Sequence, residues 1–198
     1  LWTNDLKQPV MPDDWQTTTL GEVADWYSGG TPRARDPKFY ENGSIPWAVI
    51  ADLLQDPIFE TSKRITDAGL EQIGGRVAPA GSVLISMYGT IGRTSVAGVD
   101  VATNQAIAWG EVHTDCIVSN FLQLLLQSKQ TFFEGVSRGA AQKNINRRII
   151  KSTNISLPPL AEQRRIVDLV GAIDTCIDAL EVQVEADRIA RAGVLAEL

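Results

Sequence analysis

Residues that commonly carry out catalysis are few in this chain, and none stands in a spacing that a known reaction requires. The single histidine, His113, lies in a polar stretch, and no serine or cysteine motif gives it a role as a triad base. The sequence has neither a Walker-type phosphate loop nor a G-x-G-x-x-G loop after a strand. Its carboxylates show no metal-ligand spacing. The sequence therefore predicts a non-catalytic protein without a metal or a cofactor of its own.

Three further features invite a specific function and are too weak to support one. Pro158-Pro159 lacks the preceding Asn or Asp and the following aromatic residue of the catalytic tetrapeptide of adenine methyltransferases. Residues 89–92 match the G-x-x-G loop of a KH domain, but a hairpin turn accounts for them equally well. Cys116 and Cys176 have no metal or redox spacing, which predicts two free thiols in a reducing compartment, the cytoplasm.

Several loops carry side chains of the kinds that contact nucleic acids. A Gly- and Pro-rich loop, residues 28–38, holds cations suited to phosphates or to bidentate guanine contacts, and residues 88–93 form a turn that could enter a groove. Glutamines could read adenine edges, and further cations could hold phosphates. The candidates are Arg33, Arg35, Lys38, Tyr88, Thr90, Arg93, Gln105, Arg138, Gln142 and Lys143.

Each candidate also has a plainer interpretation. A cation could be a solvated surface charge, and Gln105 could be a strand residue that is hydrogen-bonded inside the fold. Tryptophans often stack on bases, but Trp15, Trp26, Trp47 and Trp109 are expected in the core.

The distribution of charge supports an interaction with phosphates more than the total charge does. The net charge of −6 argues at first against nucleic acid. Residues 129–151, however, hold six basic residues and one glutamate, a local charge of +5, whereas residues 158–198 hold four basic and eight acidic residues. We therefore expect weak DNA binding by the chain alone and tighter binding with a partner that adds positive charge. No apolar run is long enough for a membrane span.

A mixed α/β head of many short elements must position these loops. Strands are predicted over 16–20, 25–27, 45–50, 82–88, 93–97 and 103–109, and a turn of helix over 21–24. Thr66 is expected to cap a helix that runs to residue 73 and stops at two glycines. Ser119 is expected to cap a helix through residue 133, and Asn144 a second one through residue 151.

One long helix follows the head. Pro159 can occupy its first turn, and no proline occurs after it, which predicts about 40 helical residues, roughly 60 Å. Apolar residues alternate in steps of four and three, the repeat of a coiled coil, at Ile166, Val170, Ile173, Ile177, Leu180 and Val184. We expect this seam to pack on a helix of a second copy or of a second unit in a longer parent chain. An amphipathic helix on its own domain is the alternative.

Six short motifs occur in order along the chain: the loop Ser28-Gly-Gly-Thr-Pro32 with Arg33 and Arg35, Ile45-Pro-Trp47, Tyr88-Gly-Thr-Ile-Gly-Arg93, Asn104-Gln105, Gln142-Lys-Asn-Ile145 and the junction over 157–167. Together they resemble the motifs of the specificity subunits of type I restriction–modification systems. The resemblance adds Thr31 to the candidate DNA-binding residues. It spans nearly the whole chain.

The resemblance implies a target-recognition domain over 1–157 that reads a half-site of double-stranded DNA, followed by a spacer helix over 158–198. It also implies assembly with a methyltransferase subunit, which binds S-adenosylmethionine, and with a restriction subunit, which consumes ATP. Members usually carry two such units, so this chain is interpreted as a natural half-subunit or as a fragment. A dimeric adaptor whose head binds another protein is the alternative function.

Overall fold

The computed structural model describes Pro12, residues 14–138 and residues 144–196. Within them a head of short elements precedes one long helix. The strands are β1 (Gln16–Thr19), β2 (Ala24–Ser28), β3 (Ile45–Ala48), β4 (Arg64–Ile65), β5 (Val83–Ser86), β6 (Thr94–Val96), β7 (Ala102–Thr103), β8 (Ile107–Val112) and β9 (Asn154–Leu157). The helices are α1 (Leu20–Val23), α2 (Asp67–Gln72), α3 (Ser119–Ser128), α4 (Gln130–Arg138), α5 (Arg147–Lys151) and α6 (Leu160–Ala196).

A four-stranded antiparallel sheet of order β2-β8-β5-β6 forms the centre of the head. A three-stranded sheet, β4-β3-β7, lies beside it, and its β3 and β7 are parallel. The ribbon of β1 and β9 closes the head next to the start of α6. The mixed α/β head with a long C-terminal helix predicted from the sequence is confirmed.

Alternation along the central strands divides the core into two layers. Val83 and Ile85 of β5 point into a main cluster with the apolar face of α3, while Leu84 between them points to the other side of the sheet. Leu84 packs there with Trp109 of β8. Trp26, Trp47 and Trp109 are buried, as expected, and Trp15 is half-buried.

The cap at Thr66 was predicted correctly. Its hydroxyl accepts a hydrogen bond from the Gly69 N–H at 3.1 Å, and α2 ends at Gln72. The Gly75 N–H then donates to the Leu70 carbonyl at 2.8 Å, which satisfies a carbonyl of the last turn.

Two predicted elements are divided or shortened in the structure. The strand over 103–109 is two strands, because the Asn104 side chain accepts from the Ala106 N–H at 3.0 Å and turns the chain between β7 and β8. The helix from Ser119 ends at Ser128, and after Lys129 the chain starts α4, whose Phe133 is buried in the main cluster. Ser119 is the first helical residue and not the cap, since its hydroxyl donates to the Gly81 carbonyl at 2.6 Å.

The cap of α5 is Asn146, not Asn144. The Asn146 side chain accepts from the Ile149 N–H at 3.0 Å, which satisfies a donor of the first helical turn. The sequence also gave no sign of β9, a strand that pairs with β1 along its whole length.

The helix α6 is continuous and 37 residues long. Its first turns pack on the head, where Ile166 and Val167 contact the main cluster, and residues 171–192 are all exposed. The boundary between head and helix at 157/158 stays a prediction. No helix among the described residues is long and apolar enough to cross a membrane.

Candidate functional site

The loop after β2 is fixed at its base by close contact with β7. A Cβ atom added to Gly29 would lie 1.7 Å from the Thr103 carbonyl oxygen, so only glycine fits there. The Gly30 N–H donates to that carbonyl at 3.0 Å, and the Trp47 indole N–H donates to the Gly30 carbonyl at 3.1 Å. The buried indole and the glycine pair thereby hold Thr31 at the surface.

Two side chains hold the next residues of the loop. The Tyr40 hydroxyl donates to the Pro32 carbonyl at 2.6 Å, and the Arg33 N–H donates to the Gln72 side-chain oxygen at 2.8 Å. Burial raises the pKa of Tyr40, so this hydroxyl keeps its proton well into the alkaline range. The backbone is therefore fixed while the side chains of Thr31, Arg33 and Arg35 stay exposed.

Lys38 differs from the two arginines because its charge has local partners. Its ammonium lies 4.0 Å from the Asp36 carboxylate and 4.7 Å from the centre of the Phe39 ring. Arg33 and Arg35 have no such partner among the described residues. They are the better candidates for contacts with an external anion.

The turn between β5 and β6 presents a second set of candidates. The Ser86 hydroxyl donates to the Thr90 carbonyl and accepts from the Arg93 N–H at 3.0 Å, which closes the turn from inside. Gly89 has a φ of 64°, a backbone angle that favours glycine. Tyr88, 42% exposed, and Thr90 therefore project from the turn, and Arg93 is half-buried at its end.

The turn between β7 and β8 contacts both the loop after β2 and the turn between β5 and β6. The Asn104 N–H donates to the Ala48 carbonyl at 3.0 Å, and the Met87 N–H donates to the Ala106 carbonyl at 2.7 Å. Gln105 is exposed at the tip, and its side-chain oxygen accepts a hydrogen bond from the Thr31 hydroxyl. The interpretation of Gln105 as a strand residue bonded inside the head is therefore wrong, since it lies on the surface beside Thr31.

The segment around Ile145 is the fourth that lies at this surface. The Ile145 N–H donates to the Met87 carbonyl at 3.1 Å, so this part of the basic stretch over 129–151 lies next to Tyr88. Gln142, Lys143 and the side chain of Arg138 lie outside the described residues. We call the surface formed by Thr31, Arg33, Tyr88, Thr90 and Gln105 the loop surface.

The basic residues of α5 were counted in the positive stretch but not named as site residues. Arg147, Arg148 and Lys151 are exposed and line a groove together with Thr19, Glu22 and Ser152. Hydrogen bonds from the Thr18 hydroxyl and the Thr19 N–H lower the pKa of Glu22. In the described part of the chain, none of the three cations has an ion pair. The cluster of like charges in the sequence was the signal that pointed to them.

The single histidine and the acidic side chains form no metal site among the described residues. His113 lies on the surface, with its Nδ1 atom 3.1 Å from the Glu22 carbonyl and its Nε2 atom 3.4 Å from the Asp25 carboxylate. Among the described residues no three His, Cys, Asp or Glu side chains lie close enough to hold a metal ion. What the loop surface offers is hydroxyl, amide and guanidinium groups, the groups that contact phosphates and base edges.

The predicted seam of α6 is packed against the head at its start and exposed beyond it. Ile166 packs against the main cluster, and Val170 lines a groove between α3 and α6. Beyond them Ile173 is 51% exposed and Ile177 47%, and Leu180 and Val184 are exposed as well. The seam that is open to another helix thus starts at Ile173.

Comparison with known proteins identifies this arrangement. Residues 12–186 match the model of the type I restriction modification DNA specificity domain, which covers most of the chain. The chain belongs to this family. The motifs of residues 28–35, 88–93 and 104–105 all lie within the matched span, and the structure brings them together on the loop surface.

The curated relatives that match are named as specificity subunits of type I restriction enzymes. The chain is 26% identical over 172 residues to the specificity subunit of the Escherichia coli type I restriction enzyme EcoR124I/EcoR124II, covering 84% of the chain and 42% of that protein. It is 24% identical over 192 residues to the MjaIX specificity subunit of Methanocaldococcus jannaschii, covering 93% of the chain and 44% of that protein. The chain thus spans about two fifths of the length of these relatives.

Solved structures show the same fold. The HsdS subunit from Thermoanaerobacter tengcongensis superimposes with a TM-score of 0.67 at 26% identity, over 88% of this chain and 41% of that one. A chain from a study of assembly and conformational transition in the type I R-M system gives a TM-score of 0.68 at 27% identity, over 86% of this chain and 40% of that one. This chain thus matches about two fifths of each of these two structures.

Proposed function

We propose that this chain is a non-catalytic unit that recognises a short half-site of double-stranded DNA. The observation that carries the proposal is the convergence of three turns on the loop surface, where Thr31, Tyr88 and Gln105 lie together although they are far apart in sequence. Their side chains offer donors and acceptors to base edges. Arg33 and Arg35, which have no ion pair with any described residue, add positive charge on the same loop as Thr31. Arg147, Arg148 and Lys151 extend the positive surface for phosphate contacts.

The helix α6 acts in this proposal as a spacer and as a pairing element. Its exposed apolar stripe from Ile173 to Val184 has no cover from the head, and such a seam is stabilised by a second helix. The partner is a second copy of the chain or a second unit of a longer parent chain. Two copies would read a palindromic target with an unspecified middle, because each head reads the same half-site.

The chemistry would be supplied by other subunits. We infer assembly with a methyltransferase subunit, which binds S-adenosylmethionine, and with a restriction subunit, which consumes ATP. The family membership supports this inference, and so does the net charge of −6, because an acidic chain needs a partner that adds positive charge to hold DNA tightly.

The adaptor hypothesis is less well supported. An adaptor head that binds another protein would need an apolar centre in its contact surface. The loop surface instead carries hydroxyl, amide and guanidinium groups, and the family match names DNA specificity.

Selection of bound sites from a random DNA pool tests the proposal. The chain and the methyltransferase subunit are incubated together with the pool, and the bound fraction is sequenced. We expect a target of two short defined parts separated by an unspecified gap, with centres about one helical turn apart or slightly more. The methyltransferase subunit alone is the control and should enrich no such target. A pool without any enriched sequence in the presence of both subunits would refute the proposal.

A further inference from the structure

The side chain of Gln163, in the first turn of α6, is completely buried, at 0% exposure. Its amide nitrogen donates to the Cys116 carbonyl at 2.8 Å and to the Pro158 carbonyl at 2.9 Å. Its amide oxygen accepts from the Val118 N–H at 3.0 Å. One side chain thus uses both of its donors and its acceptor on three backbone groups.

The three bonds join three segments of the molecule. Cys116 and Val118 belong to the segment that enters α3, Pro158 belongs to the turn before α6, and Gln163 belongs to α6 itself. A tilt of α6 would break at least one of these bonds in a place that water does not reach, and a buried polar group without a partner is costly. The amide therefore opposes tilting of the helix more strongly than apolar packing alone would.

Neighbouring contacts also hold the first turns of α6 against the head. The Trp15 indole N–H donates to the Glu162 carboxylate at 3.2 Å, and Ile166 and Val167 pack on the main cluster. After Gly171 the helix is exposed throughout its described side chains. The direction of this long free part is consequently set within the first turns.

A small tilt at this junction has a large effect at the far end. From Gln163 to residue 192 the helix rises roughly 44 Å at 1.5 Å per residue, so a tilt of about 10° moves its end by roughly 8 Å. Base pairs are about 3.4 Å apart along a strand, so this displacement equals roughly two base pairs. Accurate spacing of two heads on DNA thus requires a fixed helix direction.

We propose that Gln163 is a positioning residue that fixes the direction of α6 relative to the head and so selects the gap between the two half-sites. This inference rests on the proposed function for its consequence on DNA, but the rigidity of the junction can be measured without DNA. Gln163 touches neither the loop surface nor the exposed seam, so its effect is on geometry and not on base contacts.

The first test measures the junction in the free chain. One spin label is placed on the exposed Cys176 of α6 and a second on the head through a Glu60→Cys variant. Cys116→Ser removes the other thiol, and an excess of unlabelled chain suppresses distances between labels on different copies. We expect a narrow distance distribution for Gln163 and one about twofold broader or more for Gln163→Met, which keeps the volume but loses all three bonds. Equal widths would overturn the inference, whatever the chain does with DNA.

The second test measures gap selection. The chain is combined with the methyltransferase subunit, and binding is compared on targets whose half-sites are separated by the preferred gap or by one or two base pairs more or less. We expect discrimination of about tenfold or more for the unmodified chain and of about threefold or less for Gln163→Met, with unchanged base preference within each half-site. Leu84→Ala, which opens a cavity in the second core layer away from α6, should weaken the fold and leave the gap profile unchanged.

The outcomes separate the two proposals. If the unmodified chain selects no sequence at all, the proposed function fails, while the label distances still decide whether Gln163 fixes the helix. If the unmodified chain selects a gap and Gln163→Met and Gln163→Glu keep the same profile, the positioning role is wrong and the proposed function stands.

Discussion

The Thr31 hydroxyl donates a hydrogen bond to the side-chain oxygen of Gln105, a residue 74 positions away in the sequence. The bond joins the loop after β2 to the turn between β7 and β8 and fixes which way the Gln105 amide points. In the described part of the chain the amide nitrogen has no partner, so its N–H groups are available to an acceptor such as adenine N7.

Thr31 and Gln105 are therefore expected to act together in base recognition. Gln105→Leu should cost about 1–3 kcal/mol at one base position, and Thr31→Val should weaken the same position by a smaller amount, because it frees the amide to rotate. The double variant should be clearly non-additive, with a coupling of about 0.5–3 kcal/mol. Competition binding against single-base variants of the target measures this, with Thr31→Ser as a control that keeps the hydroxyl. Additive effects at different base positions would contradict the prediction.

Arg33 and Arg93 are the two arginines expected to make bidentate contacts to guanine. Each arginine that contacts a guanine through both nitrogens should, when replaced by Ala, lose about 1–3 kcal/mol at one position and relax the preference there. In a symmetric dimer the loss must occur in both half-sites. Methylation mapping of the reconstituted complex provides the measurement. Uniform weakening on all sequences would show instead that the arginine holds a phosphate, and base reading would then rest on Tyr88, Thr90 and Gln105.

The three cations of α5 are expected to contribute through phosphates. Replacing Arg147, Arg148 and Lys151 together by Gln should weaken binding to all sequences alike and reduce the slope of log affinity against log salt concentration by about 0.9 per lost contact. Arg188→Gln is a matched control, since this exposed arginine of α6 lies 3.7 Å from Glu185 and far from the head along the helix. An unchanged slope in the triple variant would remove α5 from the DNA interface.

The exposed seam of α6 should mediate pairing of two chains. Ile173→Asp combined with Ile177→Asp places two charges in the apolar contact and should convert a dimer into monomers. Thr175→Asp combined with Val182→Asp is the control, because these exposed residues lie off the seam and add the same charge. Light scattering at micromolar concentration reports the mass. A monomeric unmodified chain would refute pairing of two copies, and a dimer that survives both seam charges would place the interface elsewhere.

The loop after β2 should loosen in alkaline solution through Tyr40. Burial raises the pKa of this hydroxyl above its ordinary value of 10.0, so its stabilising contribution is complete below pH 10 and is lost as the pH rises through the folded-state pKa. Tyr40→Phe removes the bond to the Pro32 carbonyl and should cost about 1 kcal/mol at pH 7. Urea unfolding from pH 7 to 11 should show a steeper alkaline loss for the unmodified chain than for Tyr40→Phe. Parallel pH curves would contradict this assignment.

The sequence alone predicted the features that depend on residues close to one another in the chain. The cap at Thr66, the two glycines after α2 and the 3.5-residue apolar repeat of α6 from Ile166 to Val184 each depend on residues within a few positions of one another. The absence of catalytic spacing and the positive stretch over 129–151 were visible for the same reason. The motif order that resembles the specificity family was also a property of the sequence alone, and the family match agrees with it.

Only the tertiary structure decided which of these residues meet. Gln105 was a candidate for base contact within a predicted strand, but the Asn104 turn, which is held by the Ala48 carbonyl of β3, brings it to the surface beside Thr31. The end of α3 at Ser128 is tied to the burial of Phe133 in the main cluster, most of whose members are distant in the chain. The strand β9 likewise depends on β1, at the opposite end of the head sequence. Gln163 carried no local signal of its role, because its burial depends on the approach of the segment around Cys116 and Val118, which pattern and propensity do not encode.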